Sequence, residues 1–354
     1  MSGPEVAGLP GIAANITYLS DCTPKLCDMK YATMEYVPNV YANELYLALF
    51  AIFLVVQLIM VFPYHTWSYT FMMFLGSILE CVGYWGRLAM HFNIFMETPF
   101  LINIIALTIA PVFYTAAIYL TLARIIRHYG VYNSLISPRT YTVIFLTADV
   151  VSLILQSLGG GMANAASTKE ESLRGVHVML GGLAFQVFSM TIFMLICAIF
   201  FLNVRKDQIR QKATNWATGK IDPPAQHIKG YSSFVIIFAF AFFLILVRSC
   251  FRVAELSHGF DGKLANQEIP FMILEGGMLL LATFIMTAWH PGRFMKREWK
   301  KSKPVVEPER KFSIGSGSTN NGSGYYPNGR PNSSAMQPTP SQWPSHGNMQ
   351  QVPL

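Results

Sequence analysis

Nine polar residues lie inside stretches of this chain that are otherwise apolar, and their types and spacing limit the chemistry they can do. Glu80 and Arg87 stand seven residues apart within residues 69–90. Two helical turns put positions i and i+7 on one face. Asp149 and Gln156 repeat that spacing, and Arg248, Arg252 and Glu255 step by four and then three along one face. Gln186 and Glu275 complete the set. A carboxylate in such a place can meet an ammonium group, and a guanidinium can take phosphate or hydroxyl oxygens. The alternative is that these groups only tie helices together, at about 0.6 kcal/mol per interhelical polar contact. Both readings require a scaffold that buries charge.

The composition describes that scaffold. Of 354 residues, 52% are hydrophobic and 13% charged, whereas soluble domains carry about 25% charged residues. The apolar residues fall into seven blocks, at 43–62, 69–90, 100–126, 142–163, 178–202, 231–248 (extending toward 255) and 271–289. Each is close to the roughly 20 residues that a helix needs to cross a ~30 Å hydrocarbon core. The expectation is an all-α polytopic membrane protein, a bundle of seven transmembrane helices. No signal-like apolar segment precedes residue 43, so the first span is expected to insert the chain.

Orientation follows from the basic residues. With the N-terminus outside, 18 of the 26 Lys and Arg fall in cytoplasmic segments and six in outer ones. The N-terminus is therefore expected outside and the C-terminus in the cytoplasm. Three segments result: an extracellular stretch at 1–42, the seven-helix domain at 43–292, and a basic juxtamembrane stretch with a disordered cytoplasmic tail at 293–354. The tail is rich in Gly, Ser, Asn, Pro and Gln, a composition that cannot build a core. Asn15 opens a glycosylation sequon on the outer side, where Cys22 and Cys27 could also close a short disulfide loop. Chance is the alternative for both. Cys81, Cys197 and Cys250 fall within spans and are expected to pack as small apolar residues. Arg293, Lys296, Arg297, Lys300, Lys301 and Lys303 suit anionic lipids of the cytoplasmic leaflet, at about 1 kcal/mol per cation; they suit a topology signal equally. The net charge of +7 sits where a membrane protein places it and does not point to nucleic acid.

In this orientation Glu80 lies near mid-membrane and Arg87 near the outer surface. Most of the nine share the outer half, and only Asp149 lies deeper. Charges at such depth cost a contested ~2.5 kcal/mol or more each, so they turn inward and pair. Glu80, Glu255 and Glu275 balance Arg87, Arg248 and Arg252, which predicts an interhelical network around a hydrated cavity open to the outer leaflet. The glycines at 159–161 and 181–182 are expected to let spans four and five pack closely. Pro111 is expected to kink span three and release a carbonyl.

Other chemistries lack their motifs. No G-x-x-x-x-G-K-[ST] or G-x-S-x-G occurs, and no two of the eight histidines stand at i, i+4. A phosphate-binding loop, a serine-hydrolase elbow and a helical zinc pair are thereby excluded. Span three ends in "ARIIRHYG" rather than Asp-Arg-Tyr, and span seven lacks Asn-Pro-x-x-Tyr, which argues against a common seven-helix receptor. No catalytic or metal residue, no cofactor and no enzymatic activity are expected.

The motifs resemble those of the fungal lipid-translocating exporter (RTA-like) family. The match is carried by "YVPNVYANELYLALF", "ECVGYWGR", "APVFYTAAIYLTLARII", "ADVVSLILQSLGGG", "GGLAFQ", "VRSCFRVAELSHG" and the "HPG" closing span seven. One departure is Met278-Leu279-Leu280 after "LEGG", where another acidic or aromatic group is expected. The resemblance implies a multi-pass plasma-membrane protein (other endomembranes being the alternative). It would export or flip amphiphiles such as sphingoid long-chain bases and confer resistance to them. It also implies that the nine inward polar residues bind substrate. The rival function is a seven-helix sensor of lipid or membrane stress. Oligomeric state is not legible.

Overall fold

Each apolar block becomes a helix because the hydrocarbon core offers no water to backbone N–H and C=O groups, which must then pair within the segment. The computed structural model describes residues 22, 26–28, 32, 34, 36–129, 137–166, 168–218, 231–257 and 267–293. Every long element among them is helical. Helix α1 (Val40–Tyr64) starts at Asn39, whose side chain accepts from the Ala42 N–H at 3.2 Å. It stops at His65, which turns into the left-handed region at φ 51°. Helices α2 (Trp67–Phe92), α3 (Glu97–Tyr129), α4 (Pro138–Ala165), α5 (Lys169–Thr218) and α6 (Tyr231–Leu256) follow. The seventh, α7, opens with Glu268–Pro270, passes through a π-helical segment Phe271–Gly277 and ends as Met278–Ala288.

Six of these seven helices are long and apolar enough to cross a membrane. The exception, α2, has the length but carries Glu80 and Arg87. Both charges are buried inside the bundle together with Tyr69, Ser77 and Tyr84, while Phe71, Val82 and Trp85 form an exposed apolar face on the same helix. Consecutive helices pack against each other, α7 packs on both α6 and α1, and α3 also reaches α6. The largest core cluster gathers side chains from α2 to α7, among them Tyr119, Phe193 and Phe242. Leu279 is also part of it, so the position after "LEGG" is filled by packing.

Helix α5 differs from the expected pattern. Its 50 residues rise about 75 Å at 1.5 Å each, far beyond the ~30 Å core. Residues 203–218, which lie beyond the end of the expected block at 178–202, continue the helix. Half of that stretch is Arg, Lys, Gln or Ala, which are good helix formers.

Candidate functional site

The spacing of α6 has its predicted consequence. Arg248, Arg252 and Glu255 share an inward face, all buried. Arg248 Nη2 donates to Glu275 Oε1 and, at 2.6 Å, to the carbonyl of Leu107. Leu107 lies four residues before Pro111, which has no N–H to return to it. The proline therefore frees the acceptor that anchors Arg248. Arg252 Nη1 donates to Glu255 Oε2 at 2.7 Å, and its Nε lies 3.8 Å from Glu275 Oε1.

Glu275 reaches this cluster from the π-helical part of α7, where the Met278 N–H bonds five residues back to Ile273. The wider turn is held from α1 by Tyr46, whose hydroxyl donates to the Met272 carbonyl at 2.7 Å. Tyr46 stacks on Tyr84, with ring centroids 5.1 Å apart. A Cβ on Gly276 would fall 2.3 Å from the Tyr84 hydroxyl, so only glycine admits this approach. π-Helical turns are rare and concentrate at functional positions.

Glu80, 1% exposed and midway along α2, lies within electrostatic reach of Arg248 and Glu275. It forms no ion pair among the described residues, and its Oε1 has no hydrogen-bond partner. The cluster thus holds three carboxylates (Glu80, Glu255 and Glu275) around two guanidiniums.

Arg87 does not belong to it. Although Arg87 is 0% exposed, its Nη2 donates to Tyr36 of the N-terminal segment. Its guanidinium lies 3.8 Å from the Phe271 ring centroid, a cation–π contact. Its Nε and Nη1 have no hydrogen-bond partner. Burial pushes the Tyr36 phenol above its ordinary value of 10, against the pull of the adjacent Arg87. Tyr36 therefore stays neutral beside the cation. The same segment is pinned by the Asn39 N–H donating to Glu268 Oε1 at 2.6 Å and by His91 Nδ1, 2.8 Å from the Pro38 carbonyl. The expected three-to-three charge balance is corrected by this geometry: same-face spacing placed Glu80 and Arg87 on one side of α2, but different neighbours cover them.

Two further groups stand apart. Asp149, fully buried, accepts from Thr115 at 2.9 Å and Tyr119 at 3.1 Å, both through Oδ2. Gln156 Nε2 donates to Gln186 Oε1 at 3.0 Å, joining α4 to α5. Between α3 and α4 lies a cavity of about 410 Å³. Of the nine residues it takes only Gln156, and its wall is mostly aliphatic, so it is not the polar cavity expected around the charges.

Close packing of α4 on α5 rests on Gly159 and Gly182, as anticipated, and also on Gly175, which was not. A Cβ at Gly159 would meet the Met179 N at 2.3 Å, and one at Gly175 would meet the Ala163 N at 2.4 Å. Gly161 and Gly181 face open space and Gly160 nearly so.

At the opposite end of the bundle, the "HPG" motif works as an anchor. The Gly292 N–H donates to His290 Nδ1 at 3.1 Å. The remaining nitrogen of the neutral ring, Nε2, then carries the proton toward Thr66 Oγ1, 3.3 Å away.

Sequence reasoning passed over Tyr36, Tyr46, Tyr84, Thr115, Tyr119 and Phe271. A usable signal existed for one pair: Thr115 and Tyr119 stand at i, i+4, one face of α3. Cys22 and Cys27 are joined by a disulfide. Asn15, the tail and the basic residues after Arg293 lie outside the described residues.

The sequence has known relatives. The chain matches the family described as "RTA1 like protein" over residues 73–298. It is 34% identical over 300 residues to the sphingoid long-chain base transporter RSB1 of Saccharomyces cerevisiae, covering 77% of this chain and 78% of that one. Protein RTA1 of the same yeast is 28% identical over 217 residues, covering 61% and 63% of the two chains. Protein RTM1 is 28% identical over 223 residues, covering 62% and 66%. No solved structure matches the chain. The protein is a polytopic helical membrane protein and belongs to the RTA1-like family.

Proposed function

We propose that this chain is a membrane transporter that moves single-chain amphiphilic lipids bearing an amine head group, of the sphingoid long-chain base kind, between leaflets and out of the cell. The observation that carries this reading is the one carboxyl group of the buried cluster that no described cation pairs, Glu80. Three carboxylates surround two guanidiniums, and Glu80 is left midway along α2 with an unpartnered oxygen. A buried carboxyl with no cation beside it is costly to ionise, and an ammonium head group would supply that cation. Arg87, with two guanidinium nitrogens unpartnered, offers donors for phosphate or hydroxyl oxygens nearer the end where Tyr36 packs. The similarity to a sphingoid long-chain base transporter over three quarters of the chain supports the same substrate class.

Within this reading the nine inward residues bind and conduct substrate, and no reaction is catalysed. The N-terminus lies outside, with the 1–42 stretch extracellular and Asn15 glycosylated. The seven-helix domain at 43–292 sits in the plasma membrane. The basic stretch from Arg293 rests on anionic lipids of the cytoplasmic leaflet, with the tail beyond it. Export confers resistance to toxic amphiphiles. The experiment is export from cells: yeast lacking its own long-chain base exporter is loaded with a labelled long-chain base, with and without this chain. Faster appearance of label in the medium is expected with the chain present. Unchanged export, with the protein folded at the cell surface, would favour a sensor of membrane stress instead.

A further inference from the structure

The cavity between α3 and α4 is polar at its two ends and apolar along its length. Glu97 and Asn164 line one end, where the helices leave the bundle. Thr108, Gln156 and Ser157 line the other. Thr108 is eleven residues from Glu97, about 16 Å along α3 by helix rise, so the inner end lies near the middle of a ~30 Å hydrocarbon core. The volume of about 410 Å³ is within the usual range for small-ligand sites, roughly 300–1,000 Å³.

Three features point to an occupant. The charged lining residue, Glu97, is acidic. Gln156 is 3% exposed and, although its amide nitrogen is bonded to Gln186, its Oε1 has no hydrogen-bond partner. Such a buried acceptor calls for a donor. The α4 wall between the two ends is also stripped of side chains. A Cβ at Gly161 would meet nothing within 4 Å, and one at Gly160 only the Met179 sulfur at 3.8 Å. These glycines are not needed for helix packing, and they leave an opening along the groove.

Resting on the transport reading above, we propose that this groove is the lateral path of the substrate head group. A single-chain amphiphile with an ammonium and neighbouring hydroxyls enters past Glu97, which pairs with the ammonium. Its hydroxyl and ammonium groups then meet the Thr108 and Ser157 hydroxyls beside Gln156, whose side chain turns to present its Oε1. The hydrocarbon chain trails into lipid past Gly160 and Gly161. Leu107, adjacent to Thr108, gives its carbonyl to Arg248, so the inner end and the ionic cluster meet on one turn of α3.

The test uses the full chain in liposomes with two probes, a fluorescent and a photoactivatable single-chain amino alcohol. Gly161→Phe builds a ring outward from a Cβ position with nothing within 4 Å, and Gly181→Phe, on α5 and equally open at its Cβ position, is the matched control. Gly161→Phe is expected to slow transport at least about tenfold, the effect of one excluded contact of ordinary strength, while Gly181→Phe keeps the wild-type rate. Independently of any variant, the photoactivatable probe is expected to label wild-type α3 and α4 near Glu97 and Gln156, with labelling lost under excess unlabelled amine. Equal rates for wild type and Gly161→Phe, equal losses in both variants, or labelling confined to other helices would overturn the groove. A wild-type chain that moves no amine would defeat the transport reading itself, so the two failures are distinguishable.

Discussion

Glu80→Gln is expected to leave the protein folded and at the cell surface while lowering transport of a cationic amphiphile between about ten- and a hundredfold. The range follows from losing a hydrogen bond to a charged partner, about 1.5–3 kcal/mol. Folding is expected to survive because Glu80 forms no ion pair among the described residues and the amide keeps its shape. Removing its charge leaves no buried cation newly alone, since Arg248 retains Glu275 and the Leu107 carbonyl. Arg87→Gln should not rescue the variant, because Arg87 bonds Tyr36 and lies over Phe271 rather than meeting Glu80. Transport and surface expression, measured for each variant, check this. A surface-expressed Glu80→Gln chain at the wild-type rate would remove Glu80 from the site.

Arg248→Met carries the opposite signature. It strips Glu275 of its closest cation and leaves the Leu107 carbonyl, released by Pro111, without its donor. Breaking a buried pair by removing one partner costs about 3–5 kcal/mol, a large share of the 5–15 kcal/mol typical of a folded domain. The expected result is a marked fall in thermal unfolding temperature in detergent and retention of the protein inside the cell. Adding Glu275→Leu should recover part of the stability, because replacing both partners by apolar groups is far less costly than orphaning one. The double variant should remain unable to transport. Recovery of both properties would mean that the pair is only a fastener.

The contrast between these two variants marks what the sequence could and could not tell. Charges are so unfavourable in apolar blocks that Glu80, Arg87, Asp149 and Glu275 announced an inward face from composition alone. Spacing along α6 correctly put Arg248, Arg252 and Glu255 together, and Pro111 correctly implied a free carbonyl. Which neighbour covers each face is a tertiary matter. The partner of Arg87 comes from the N-terminal segment and α7, far away in sequence. The π-helical turn around Glu275 was equally hidden, since it depends on Tyr46 and Tyr84 meeting Gly276 across helices. Glycine runs were ambiguous for the same reason: Gly159 packs against α5, while Gly161, two residues on, faces open space. The helical extension of α5 was missed because a polar stretch carries no hydrophobic period, although its residues favour helix locally.

The central claim is that this chain lowers the barrier for an amine head group to cross the bilayer. The direct measurement is the rate at which a fluorescent long-chain base in sealed liposomes changes leaflet, followed with a membrane-impermeant quencher, for liposomes with and without the purified chain. A barrier lowered by only about 1.4 kcal/mol already gives a tenfold faster rate. The account predicts at least that acceleration for the wild-type chain and its loss in Glu80→Gln. Exchange no faster than in protein-free liposomes, with the reconstituted chain demonstrably folded, would contradict it.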